Sequence, residues 1–173
     1  MDKKLTKTIL EIIKLIKDGS LLNKNLSLVK KSIDENKENI NILIEISIQC
    51  AQIKKFDEAF FILNRLSNFI KTDVRIYYNL GVIYSMNKKH QHALDAYNKA
   101  LKISPKDVET LINKGCTLND MASHELALET LKIANQINPS FPEAWSNMGI
   151  ALNNLGLHKD SVDAYVKAIK VYS

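Results

Sequence analysis

The chain has 173 residues, 46% hydrophobic and 25% charged, which supplies enough apolar material for a folded unit and excludes a disordered chain. Five glycines and three prolines leave too few turn residues for an all-β fold, and the formal charge of +5 comes from lysines spread along the sequence, with Arg65 and Arg75 the only arginines. That spread lacks the clustered basic and aromatic residues of a nucleic-acid groove, so solvated helix faces are expected and nucleic acid is not an expected partner.

At the amino terminus, MDKKLTKTILEIIKLIKDGS has its apolar run broken by Lys14 and Lys17 and carries no small-residue cleavage site, which predicts an amphipathic helix. No stretch approaches the about 20 apolar residues of a membrane span. Residues 1–39 read as a divergent helical pair with Gly19 near its turn. Cys50 and Cys116 lack metal-pair spacing and fall in apolar helical stretches, where a thiol acts as a small hydrophobe; a reducing compartment, the cytoplasm, is expected.

From residue 74 onward a period of 34 governs the sequence. Gly81, Gly115 and Gly149 keep that step, as do Ala100, Ala134 and Ala168, and Pro105 and Pro139. Ala93, Ala127 and Ser161 form a further small column, and large residues align as Tyr77, Leu111 and Trp145, as Tyr84, Leu118 and Leu152, and as Tyr97, Leu131 and Tyr165. Apolar residues at helical spacing on both sides of a polar turn predict two helices per unit, about 74 to 87 and about 90 to 103 in the first. A glycine inside a helix costs about 1 kcal/mol relative to alanine, so three in one phase imply close approach of the partner helix. Pro105 and Pro139 are expected to end the second helix of each unit, Asp73 and Asp107 to cap first helices, and Ser140 with Glu143 to form a capping box.

YYNLGVIY followed by HALDAYNKALKISP, and EAWSNMGIALNNLG followed by SVDAYVKAIKVYS, resemble the tetratricopeptide repeat signature. On this resemblance residues 74–107, 108–141 and 142–173 are repeats, the last cut before a capping helix. Residues 40–73 are a degenerate repeat held by Leu43, Ser47, Phe56, Ala59 and Leu63, with Ser47 in the glycine column and Lys71 in the proline column. The implied fold is an all-α, right-handed superhelical solenoid of antiparallel helix pairs.

First helices of such an array line a concave surface, and helical phase selects the stripe beside the buried face. It comprises Arg75, Asn79, Val82 and Met86, then Glu109, Asn113, Cys116 and Asp120, then Glu143, Asn147, Ile150 and Asn154. Asn79, Asn113 and Asn147 share one register, and a carboxamide both donates and accepts, so a ladder of them suits a peptide backbone. The ladder resembles that of some tetratricopeptide arrays, including those attached to protein glycosyltransferases. The lysine-rich clamp of the family's chaperone-tail binders does not map here.

His90, His124 and His158 form one column in the inter-helix turn, with Phe56 in the same place upstream, so an aromatic packing role is expected and no metal site. No phosphate loop or nucleophile elbow occurs, so no catalytic residues, cofactor or enzyme activity are expected. The expected partner is a protein or peptide, extended or helical, held in the groove. A substrate-recruiting arm of a larger enzyme is the rival reading; RNA binding, raised by the pI of about 9.1, is a third. Self-association through an uncapped carboxy-terminal hairpin is a further expectation.

Overall fold

The computed structural model describes residues 40–172, and the proposed amino-terminal pair with Gly19 lies outside them. The described residues form eight α-helices and no strand: α1 (Ile40–Gln52), α2 (Phe56–Phe69), α3 (Val74–Met86), α4 (His90–Ile103), α5 (Val108–Asp120), α6 (His124–Ile137), α7 (Pro142–Asn154) and α8 (His158–Tyr172). First helices begin at 40, 74, 108 and 142, and second helices at 56, 90, 124 and 158, so both keep the step of 34.

The turn inside each pair is closed by backbone chemistry. Lys54, Lys88, Ala122 and Gly156 have φ of 62°, 59°, 56° and 76°, a left-handed residue at the same place four times. At the end of α5, the Ala122 N–H donates to the Asn119 carbonyl at 2.9 Å and the Ser123 N–H to the Leu118 carbonyl at 2.9 Å. These two bonds satisfy terminal carbonyls in a Schellman arrangement, and α1 and α7 end the same way. Only Gly156 adopts that φ without a Cβ clash.

Second helices stop where expected, with Ser104 and Asn138 as C-caps and Pro105 and Pro139 following. The caps of the first helices differ among themselves. Asp73 accepts from the Arg75 N–H, as expected. Asp107 sits at the N-cap but takes the Thr110 hydroxyl at 2.7 Å, with no side-chain bond to a helix N–H. The expected Ser140 capping box does not form: Phe141 is the N-cap, Pro142 opens the helix, and the Ser140 N–H donates to Asn138 Oδ1.

The chain divides between Asn87 and Lys88 into two compact units. In the first, α3 packs on both α1 and α2 around Leu63, Leu66 and Ile76, all fully buried. The Phe60 and Tyr84 rings stack at 4.2 Å between centroids. Ser47, in the glycine column, is buried and donates its hydroxyl to the Ile44 carbonyl at 2.6 Å, so the polar atom is satisfied.

In the second unit each first helix packs on the second helices before and after it, and α5 also lies against α7. One core cluster gathers Leu94, Leu118, Ala127, Leu131 and Ala151; another gathers Leu111, Ile112, Ala134 and Ala144. Glycine is required at the helix crossings. A Cβ on Gly115 would sit 2.5 Å from Leu131 Cγ, and one on Gly149 would sit 2.8 Å from Tyr165 Cε1, so a large residue of one column fills the gap left by the other. Ser161 adds a cross-link, donating its hydroxyl to the Gly149 carbonyl at 2.8 Å.

Candidate functional site

The predicted stripe falls in the two units and is described in each. On α3, Arg75 is exposed but committed: Nε and Nη2 donate to Asp73 at 2.9 and 2.6 Å, and Nη1 donates to Asn41 Oδ1 of α1. This guanidinium holds the Asp73 carboxyl below its ordinary value, while Asp73 raises that of Arg75. Asn79 is buried at 9% exposure, and its Nδ2 donates to the Arg75 carbonyl at 2.8 Å. Val82 is half-buried and Met86 exposed.

On α5, Glu109 and Asp120 are exposed, and Asn113 and Cys116 are half-buried between them. Burial first, then the Asp120 charge, pushes the Cys116 thiol up, so it stays protonated. On α7, Glu143, Ile150 and Asn154 are exposed and Asn147 is half-buried. The Asn147 Nδ2 donates to the Glu143 carbonyl at 2.9 Å, and Asn154 repeats that bond to Ile150. An amide held by its own helix has a fixed orientation and keeps one N–H and the Oδ1 lone pairs for another molecule.

Sequence reasoning missed Asn119. Its Nδ2 donates to the Asn147 carbonyl at 2.9 Å, tying α5 to α7, and its Oδ1 lies 3.3 Å from Nδ1 of His124. Asn153 meets His158 in the same way at 3.1 Å. The histidine column therefore makes polar links across the turn in these two copies, where aromatic packing was expected. Nδ1 of His90 is buried without a hydrogen-bond partner among the described residues. The available signal was that Asn119 and Asn153 keep the step of 34, each five residues before a histidine.

Trp145, which shares a column with Tyr77 and Leu111, is half-buried. Its indole N–H donates to the Pro139 carbonyl at 2.9 Å, and the Lys167 ammonium stands 4.6 Å from the ring centroid. The ring, with Met148 and Leu152, floors a groove of about 260 Å³ rimmed by Lys132, Asp160 and Lys167. No group of three or more His, Cys, Asp or Glu residues that could hold a metal ion occurs among the described residues. No helix among them is long and apolar enough to cross a membrane.

The helix pairs, the 34-residue step and the glycine crossings define a helical-repeat fold, like that of tetratricopeptide arrays. The tetratricopeptide repeat model matches residues 74–107, so that segment is a repeat of this family. Among solved structures, the crystal structure of MamA superposes with a TM-score of 0.73 at 23% identity, over 92% of each chain. A further crystal structure of MamA protein gives 0.73 at 21% identity, covering 98% of this chain and 93% of that one. MamA 41-end from Desulfovibrio magneticus RS-1 gives 0.69 at 23% identity over 76% and 74%. At these identities the likeness is one of fold. No curated protein matches the chain.

Proposed function

We propose that the chain is an array of tetratricopeptide repeats, with copies at 40–73, 108–141 and 142–173 beside the matched one, and that it acts as a scaffold gripping an extended segment of another polypeptide. The observation that carries this reading is the pair of half-buried amides, Asn113 and Asn147, at one register on the adjacent helices α5 and α7. The helix-bound amide of Asn147 is already oriented, which reduces the ordering cost of binding a peptide backbone. Asn79 offers the same helix-bound amide on α3, with less of its surface accessible.

The eight stripe residues of α5 and α7 include Glu109, Asp120 and Glu143 and no cation, which favours a segment carrying basic side chains. Cys116 and Ile150 supply the apolar contact between the acids. The match to a repeat family whose copies bind proteins supports the scaffold reading. A recruiting arm of a larger enzyme draws no support from these likenesses.

The test is binding of labelled, unstructured peptides of basic, neutral and acidic composition to the natural chain and to an Asn113→Ala, Asn147→Ala variant of unchanged helicity. Preference for basic peptides, weakened by salt, is expected, with the affinity for every peptide reduced about tenfold or more in the variant, since each lost backbone hydrogen bond is worth roughly 1 kcal/mol. Equal binding by the two proteins removes the amide pair as the gripping surface.

A further inference from the structure

The groove floored by Trp145, Met148 and Leu152 lies, by helical phase, on the opposite side of α7 from Asn147 and Asn154, so it is separate from the amide stripe. One wall is the strip Asp160, Asp163 and Lys167 of α8, all exposed. The same strip one step earlier is Leu126, Glu129 and Ile133 of α6. It too stays exposed, Leu126 at 56% and Ile133 at 42%, although α7 and α8 follow it in the chain. A helix that continues the array packs instead on the side of Leu128 and Leu131, as α7 does, and leaves this strip open.

The chemistry differs between the two copies. Leu111 in the floor becomes Trp145, Asn98 on the other wall becomes Lys132, and the exposed apolar Leu126 and Ile133 become Asp160 and Lys167. The charges are also sorted along the groove. Ser161 meets Gly149 while Lys167 meets Trp145, so α7 and α8 run antiparallel, with Asp160 and Asp163 toward their turn and Lys167 at the other end. Lys132 joins Lys167 there, being the lining residue of α6 nearer the start of α7. Among the described residues none of the Asp160, Asp163 and Lys132 side chains has a hydrogen bond or ion pair. The contact of Lys167 is the Trp145 ring face, which leaves ammonium N–H donors unused.

We infer that this groove binds an extended peptide segment carrying a basic side chain and, three residues away, an acidic one, with apolar contact between them. From Asp160 to Lys167 the helix rises about 10 Å, and three residues of extended chain span about the same. The carboxylate end takes the cation and the ammonium end takes the anion, while the half-buried Met148 and Trp145 receive the intervening side chain. A segment of one charge sign meets repulsion at one end. The selectivity is therefore for mixed charge, unlike the basic preference proposed for the acidic stripe of α5 and α7.

The probes are three labelled peptides with apolar residues between two charged positions three residues apart: one with lysine and glutamate, one with two lysines, one with two glutamates. Anisotropy should show the mixed peptide binding the natural chain roughly fivefold or more tightly than either of the others, as expected when an exposed pair turns from attractive to repulsive. An Asp160→Lys, Asp163→Lys variant should move the preference to the two-glutamate peptide, and Lys132→Glu, Lys167→Glu should move it to the two-lysine peptide. All four side chains are exposed, so both variants should keep their helicity. The Asn113→Ala, Asn147→Ala variant should bind the mixed peptide as the natural chain does, so this groove and the amide stripe can fail separately. Equal affinity for the three peptides, binding of none, or charge variants that keep the natural preference overturns the inference. So does free arginine binding as tightly as the mixed peptide, which assigns the groove to a small zwitterion.

Discussion

The Asn119 side chain donates to the Asn147 main-chain carbonyl at 2.9 Å, so a residue at the end of α5 fixes the register of α7. The carbonyl it holds belongs to the residue whose own amide is proposed to grip a ligand. Replacing Asn119 by alanine leaves that half-buried carbonyl and the His124 ring without this partner. A loss of about 1–2 kcal/mol in urea unfolding is expected. Asn153→Ala, which breaks only the link to His158, should cost less.

Gly115→Ala and Gly149→Ala should each destabilise by about 1–3 kcal/mol through overpacking, because the new methyl meets Leu131 or Tyr165 inside van der Waals distance. Leu131 is fully buried and Tyr165 is 38% exposed, so the Gly115 variant should be the worse of the two. Thermal melts of both variants measure the order. Adding Leu131→Ala to Gly115→Ala should recover less than full stability, since it trades the clash for a cavity.

The left-handed turn column predicts opposite signs at neighbouring copies. At Gly156 a Cβ would meet nothing within 4 Å, so Gly156→Ala should cost about 1 kcal/mol from backbone strain alone. Ala122 already bears that strain at φ 56°, and Ala122→Gly should stabilise by a few tenths to about 1 kcal/mol. Denaturant midpoints of the two variants, moving in opposite directions, are the check.

Cys50 makes stability fall in alkali. Burial, then the Glu58 charge, pushes its thiol up from 9.0 to about 12, so the unfolded chain gives up that proton more readily. This contribution is intact below pH 9.0 and declines as pH rises toward about 12. Cys50→Ala should flatten that slope in urea midpoints taken on either side of pH 9.0. Asp73 acts at the other extreme: its lowered value makes its contribution present above 3.8 and lost as pH falls through the folded value.

The helices, their order and the glycine crossings were legible because a period of 34 repeats every packing constraint, and Gly115 against Leu131 is that constraint in atomic form. The left-handed column was not legible, since Lys54, Lys88 and Ala122 hide a conformation that usually announces itself as glycine. The stripe was legible as a phase. What each residue does there was not: helical spacing says that Asn79 lies beside the buried face, but not that it is 9% exposed or bonded to its own helix. Capping failed at Ser140 because Pro142 already supplies a helical φ and lacks an N–H.

Trp145 is the chain's single tryptophan, and the indole is held between the Pro139 carbonyl and the Lys167 ammonium. The polypeptide thus contains its own optical probe, placed where α7 meets α8 and nowhere else. Its emission follows that hairpin without any label, whereas circular dichroism sums over every helix. A solvent shift or quench in this one fluorophore is therefore a local signal, and Lys167→Met would change its colour and intensity by removing the cation above the ring.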